Sequence, residues 1–313
     1  MLALVASCGG DSISVEDLPD EVKDARCDNL VKCEGIADSK TCDNAVTVDE
    51  GQLPAIQAGI KNGTIKYNGD KAGDCVDQLG GASCEFGGFH SDSACDDVLT
   101  GTVVTGGACV LDEQCANHGQ CVATSGSCDP DVMCCAGTCM GGSSESALGG
   151  PCDDEMHTCG TTAYCKPGTT SGSVGTCTAL VSGEGTACDD LTACANPLYC
   201  NINFQTNMGT CKKPAASGAT CSRMDLLPCA DSRDYCNATS MTCVRRIAVG
   251  GACASGATPM PCVGYASCIM GSCVADIALG GACVADSGAN CAGDLDCISG
   301  TCQVGPPDPV CTL

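Results

Sequence analysis

The stretches GGACASGATPMPCVGYASCIMGSC at 250–273 and GGACVADSGANCAGDLDCISGTC at 280–302 decide how this chain is read. In each, a glycine stands three residues before a first cysteine, two more cysteines follow, and a Gly-Ser-Cys or Gly-Thr-Cys closes the unit. The glycine three residues before a first cysteine occurs six times, from Gly106 to Cys109, Gly149 to Cys152, Gly185 to Cys188, Gly218 to Cys221, Gly250 to Cys253 and Gly280 to Cys283, and only Met241-Thr242-Cys243 breaks the closing glycine. First cysteines recur after 43, 36, 33, 32 and 30 residues, the mark of a repeat whose loops vary in length.

The later units read 149–177 (Cys152, Cys159, Cys165, Cys177), 185–211 (Cys188, Cys194, Cys200, Cys211), 218–243 (Cys221, Cys229, Cys236, Cys243), 250–273 (Cys253, Cys262, Cys268, Cys273) and 280–302 (Cys283, Cys291, Cys297, Cys302). Each is expected to be a short hairpin pinned by two bridges, and a glycine at positive φ is expected before the closing cysteine in every unit of the array except 218–243: Gly137, Gly175, Gly209, Gly271 and Gly300. Tyr164, Tyr199 and Tyr235 directly precede a third cysteine and are expected to pack on bridges as module core.

Composition agrees. Thirty-five cysteines in 313 residues is about 11%, above the roughly 8–10% of disulfide scaffolds. With no tryptophan, three phenylalanines and 41 glycines, the chain cannot build one large core, and cross-links must replace missing burial. A cytosolic metal–thiolate protein is the rival reading, but no two cysteines are separated by two residues, so zinc-ribbon, redox-pair and haem-attachment elements are missing. Disulfides at this density imply export.

Net charge is −24, and no Lys or Arg falls between Ala72 and Cys165, where fourteen Asp and Glu occur. Nucleic acid and anionic membrane surfaces would be repelled. The acidity is expected to serve solubility, with attraction for a basic partner or calcium as the functional alternative.

Residues 18–100 are expected to form a helical six-cysteine domain. Leu18-Pro19-Asp20-Glu21 is a helix start, followed by Cys27, Leu30 and Val31 at helical spacing to about Glu34. Leu53, Ile56 and Ile60 make a second stripe ending at Asn62-Gly63, and Ala72, Cys75, Val76 and Leu79 a third. Cys95, Val98 and Leu99 suggest a short fourth turn. Cys27, Cys33, Cys42, Cys75, Cys84 and Cys95 could form three bridges in any of fifteen connectivities. Cys27 and Cys33 lie about 120° apart around a helix and should find different partners.

Val5-Ala6-Ser7-Cys8, within residues 1–8, resembles the end of a bacterial lipoprotein signal. The resemblance implies that Cys8 becomes the lipidated first residue, that acyl chains on it are the only membrane attachment, and that residues 9–17 are a tether. Seven residues are too few for a basic and apolar leader, so an in-frame leader is expected upstream of Met1. Removing Cys8 leaves 34 cysteines, an even number.

The unit at 106–140 is richer: Cys109, Cys115 and Cys121 are followed by Cys128, Cys134, Cys135 and Cys139. The run Cys109-x5-Cys115-x5-Cys121 with Met133-Cys134-Cys135-Ala136-Gly137-Thr138-Cys139 resembles the N-terminal cysteine-rich region of Dickkopf proteins, and the adjacent pair is similar to knottins. Dickkopf proteins are secreted antagonists that bind Wnt co-receptors, so the resemblance implies an extracellular interaction module. Seven cysteines here and Cys311 in the tail at 303–313 are both odd counts, so one bridge must cross a module boundary.

His90, His118 and His157 have no catalytic spacing, and no phosphate loop or nucleophile elbow occurs. Asp153-Asp154-Glu155 beside His157 is expected to be a solvated loop, and Asn62-Gly63-Thr64 and Asn237-Ala238-Thr239 to be chance sequons. No catalysis, cofactor or metal is expected. The fold class expected is small and disulfide-rich: a bridged α-helical domain, then an elongated array of β-hairpin modules projecting outward. The function expected is adhesion or interaction with an extracellular protein or surface glycan, either tethered to the bacterial surface or secreted. A diffusible effector, such as a protease inhibitor or toxin-like ligand, is the alternative, and a calcium-binding surface protein a minor one.

Overall fold

A computed structural model describes residues 12–47, 52–85, 95–124, 128, 134–142, 144–153, 157–160, 162–168, 174–189, 193–203, 206, 208–221, 228–254, 261–284 and 290–305. Cys8, His90, Asp154, Glu155 and Cys311 lie outside them. The protein is small and disulfide-rich, with N-terminal helices followed by short antiparallel hairpins.

Helix α1 (Leu18–Lys32) carries Pro19, Asp20 and Glu21 in its first turn and ends on Lys32, the charge order that a helix dipole favours. It buries Cys27 and Asn29, whose Nδ2 donates to the Ala82 carbonyl at 2.7 Å. Helix α2 (Ser39–Ala45) carries no apolar stripe and escapes a periodicity reading; Asp38 caps it by accepting the Thr41 N–H at 2.7 Å. Helix α3 (Leu53–Asn62) stops at Gly63, φ 82°, and α4 (Gly69–Gly81) is capped by Asn68. Between them β1 (Ile65–Tyr67) pairs antiparallel with β2 (Leu99–Gly101), so the expected fourth helical turn is a turn at 95–98 running into a strand. The bridges are Cys27–Cys42, Cys33–Cys84 and Cys75–Cys95.

Every module repeats one pairing, first cysteine to third and second to the closing cysteine, the fourth of the shared frame. The pairs are Cys109–Cys121 and Cys115–Cys139, Cys152–Cys165 and Cys159–Cys177, Cys188–Cys200 and Cys194–Cys211, Cys221–Cys236 and Cys229–Cys243, Cys253–Cys268 and Cys262–Cys273, and Cys283–Cys297 and Cys291–Cys302. Third and fourth cysteines sit opposite each other in the hairpin, as Cys297 opposite Cys302, yet each bonds elsewhere. The first module adds Cys128–Cys135. Cys134 is also disulfide-bonded, and with its module neighbours paired among themselves its bond is the one that leaves the module.

The marker glycine clamps the hairpin. In all six modules its N–H donates to the fourth cysteine's carbonyl at 2.7–2.8 Å, while that cysteine's N–H returns to the residue after the glycine. The geometry needs a left-handed residue, φ 77–87° at Gly106, Gly149, Gly185, Gly218, Gly250 and Gly280. The glycine before the closing cysteine has two roles, not one. Gly271 and Gly300 are left-handed, as the turn argument expects. Gly137, Gly175 and Gly209 are not; there a Cβ would meet the Cys121 sulfur, the Cys165 sulfur or the Asn201 carbonyl at 2.5–2.7 Å.

Successive modules are joined without slack. Val181, Ala215, Ile247 and Ile277, three or four residues ahead of their marker glycines, bridge to the second cysteine of the module they open. The residue just before is held by the preceding module: Leu180 N–H by Thr162, Arg246 by Arg233 and Asp276 by Tyr265. Tyr164 is buried, but against the bridges of the following module, and its hydroxyl donates to Asp189 at 2.7 Å. Tyr199 is buried as expected, whereas Tyr235 and Tyr265 are half-buried.

The array does not project away from the helices as an elongated string. The first module seats Leu111 on Ala55 of α3. The fourth returns to the Cys84 carbonyl through Ser232 N–H at 2.7 Å, the fifth to Glu34 through Gly264 at 2.9 Å, and the sixth to Ala45 through Asp294 at 2.7 Å. Leu295, Ala292, Cys283 and Cys302 share one buried cluster with Cys27, Ile36, Cys42, Ala45 and Val46. Burial withheld from each small module is recovered on the common helical body.

Candidate functional site

A concavity of about 860 Å³ opens along the seam between the helical domain and the first module. Its apolar floor comes from Leu18 and Val22 on the first turns of α1, the Cys75–Cys95 bridge, and Val98 and Leu99 entering β2. Its other wall is drawn from residues 112–120 of the module. A volume of this size lies in the range of ligand sites.

Two devices hold the wall against the floor. Val103 donates to the Gln114 carbonyl at 2.9 Å and accepts from Ala116 N–H at 2.8 Å, which carries the wall across β2. At Gly101 any Cβ would collide with the Cys115 carbonyl, so only glycine permits the approach. The buried Gln114 side chain then acts as a bolt: Oε1 accepts Val110 N–H at 2.8 Å and Leu111 N–H at 3.2 Å, and Nε2 donates to Thr64 Oγ1 at 3.1 Å.

Asn117 and His118 line the cleft with φ of 57° and 55°. Left-handed backbone at two consecutive side-chain-bearing residues costs of order 1–3 kcal/mol each, so surrounding structure imposes it. The charged lining residues are Asp96, Asp112 and Glu113, with His118 and without Lys or Arg. Asp112 is oriented by the Cys121 N–H, which donates to its Oδ1 at 2.6 Å. A second concavity, about 420 Å³ between helices and fourth module, is lined by Lys32, Glu85, Asp231 and Arg233, and its charges neutralise one another.

The candidates singled out from sequence do not converge here. Sulfurs of Cys109, Cys115 and Cys139 come within 4.8 Å, as do equivalent trios in later modules, but every one is spent in a disulfide and none is a thiolate ligand. Of the acidic run near His157, Asp153 alone has a described side chain. Asn62 and Asn237 have structural work: Asn62 Oδ1 accepts from Thr64 N–H at 3.2 Å, and Asn237 Oδ1 from Thr239 N–H at 2.9 Å. Sequence reasoning singled out none of the cleft's acids individually, although all three fall in the stretch without Lys or Arg. Their gathering depends on the Gln114 bolt, which has no sequence signature.

Among the described residues no helix is long and apolar enough to cross a membrane. Bridges of this density belong to an oxidising, extracellular-type compartment, and the fold fits a protein-interaction role. No protein family, curated protein or solved structure matches this chain.

Proposed function

We propose that this chain is a non-catalytic interaction protein of the cell surface or extracellular space, which recognises an extracellular partner through a rigid, disulfide-held surface. The observation that carries the proposal is the seam of the first module, where cross-links and the Gln114 bolt preorganise an acid-lined cleft before any partner arrives. The likeness of residues 106–140 to the Dickkopf cysteine-rich region supports a protein partner over a surface glycan. In this reading Cys8 carries acyl chains that tether the molecule to a bacterial surface.

The test uses the full oxidised chain, fluorescently labelled, on intact cells and extracellular material of its source. Saturable binding abolished by prior reduction is expected; unsaturable binding, or binding unchanged by reduction, would contradict the proposal. Detergent-phase partitioning with the mass of the N-terminal peptide separates the forms. Diacyl mass at Cys8 supports a tether, and a water-soluble, unacylated product supports the diffusible effector.

A further inference from the structure

Building on the tethered form proposed above, we propose that the bond leaving the first module joins Cys134 to Cys311, so that the C-terminal tail docks on that module and closes the array into a covalent ring.

Sixteen bridges between described cysteines take 32 of the 35 and leave Cys8, Cys134 and Cys311. Cys134 is disulfide-bonded, so its partner within the chain is Cys8 or Cys311, both outside the described residues. In the tethered form Cys8 carries an acyl group on its sulfur and has no thiol left to pair. That assigns Cys311 to Cys134.

The surroundings of Cys134 favour the tail on separate grounds. Cys134 packs with Ile56 and Val110 against buried Ala55 and Leu111, an apolar spot near the start of α3. The tail that would meet it, Pro306-Pro307-Asp308-Pro309-Val310-Cys311-Thr312-Leu313, has a single charged side chain, Asp308. The segment ahead of α1 is committed elsewhere: Ile13 packs in the cluster of Ala72, Cys75 and Val98, and its N–H donates to the Gly69 carbonyl at 3.1 Å.

The tail also leaves from a suitable place. Val304 pairs with Leu295, and Leu295 shares a buried cluster with Val46, nine residues before Ala55. From Gly305 six residues lead to Cys311, about 20 Å when extended, and three prolines favour extension. Closing the bridge takes one proton and one electron from each thiol, and the two electrons reduce a disulfide oxidant of the exported compartment to its dithiol, as for every other bridge here. Modules one and six, each seated on the helical domain, are then tied to each other as well.

Two cleavages of the full oxidised chain test this, in denaturant without reductant and with any thiol alkylated first. Trypsin cuts after Lys23 and yields an N-terminal piece whose sole cysteine is Cys8; mild acid cuts the Asp308-Pro309 bond and yields residues 309–313, whose sole cysteine is Cys311. By mass spectrometry the N-terminal piece should separate at once, and 309–313 only after reduction. In the C134S variant 309–313 should separate without reductant. Release of 309–313 from the unreduced wild type, or its retention in C134S, would overturn the proposal. If it is overturned while the piece ending at Lys23 separates freely, this inference alone falls; if that piece is retained, Cys8 is itself a bridge partner and the acylated tether falls with it.

Discussion

Asp294 accepts the Thr47 N–H on its Oδ2 at 3.0 Å, across 247 residues of sequence. The same residue's N–H donates to the Ala45 carbonyl at 2.7 Å, and a Cβ at neighbouring Gly293 would lie 2.6 Å from that carbonyl. The last module is thus fastened to the loop after α2 by backbone fit, and the chain closes on its own beginning.

Removing the second bridge of that module should therefore be felt in the helical domain. C291S/C302S is expected to cost about 2–4 kcal/mol and to raise hydrogen exchange in α2, because Ala292 and Leu295 lose the geometry that seats them on Ala45. The matching C194S/C211S variant lies in the third module, whose buried cluster, among the described residues, contains no residue of the helices. It should leave α2 protection unchanged, and equal exchange in both variants would contradict the docking.

The two glycine roles are separable by substitution. At Gly250, φ 85°, an added Cβ would meet no atom within 4 Å, so Gly250→Ala should cost about 1–2 kcal/mol and Gly250→Asn less, asparagine tolerating left-handed backbone. At Gly175 a Cβ would lie 2.7 Å from the Cys165 sulfur and 2.8 Å from the Lys166 carbonyl, so Asn gives no relief and either change should cost about 1–3 kcal/mol. Denaturant unfolding with bridges intact measures both pairs.

Gln114→Met keeps volume but strands the Val110 and Leu111 N–H groups, while the Thr64 hydroxyl loses one donor and keeps its own bonds to Asn62 and Gly59. A loss of about 1–3 kcal/mol is expected, together with faster amide exchange at Val110 and Leu111. Wild-type exchange at those two amides would show that Gln114 bolts nothing.

Burial raises the Asp276 carboxyl to about 6, against the opposing hydrogen bond from the Ser267 hydroxyl, which also accepts from Asn290. An unfolded aspartate titrates near 3.9, so between about pH 4 and 6 the native state holds the extra proton and stability falls as pH rises through that window. Asp276→Asn should accordingly raise the melting temperature at pH 7.5 and have much less effect at pH 4. An equal gain at both pH values would show that the charge at this joint is irrelevant.

Arg245 meets Glu34 at 2.8 Å and Asp231 at 3.4 Å, and lies 3.9 Å from Asp234, whose side chain is 2% exposed. Glu34→Gln removes one half-buried partner from a pair open to solvent and should cost below about 1 kcal/mol. Arg245→Gln removes the ion-pair partner of the buried Asp234 carboxylate, leaving it only the more distant charges of Arg233 and Arg246, and should cost distinctly more, about 1–3 kcal/mol, by denaturant unfolding.

The cysteine frame, the marker glycine, the start of α1, the stop of α3 at Gly63 and the apolar stripes of α3 and α4 were determined by sequence alone, because each rests on a local requirement: a covalent partner nearby, a left-handed turn, a cap, an apolar stripe. Helix α2 escaped because Ser39–Ala45 shows only a cap, and β1 because three residues carry no pattern. Tertiary structure alone decided that the array turns back onto the helices, that Tyr164 serves the next module, and that Asp96, Asp112 and Glu113 share one cleft. Those outcomes depend on backbone fit between segments far apart in sequence, such as Gly293 against Ala45 and Gly101 against Cys115, and close approach of two backbones leaves no periodicity in either.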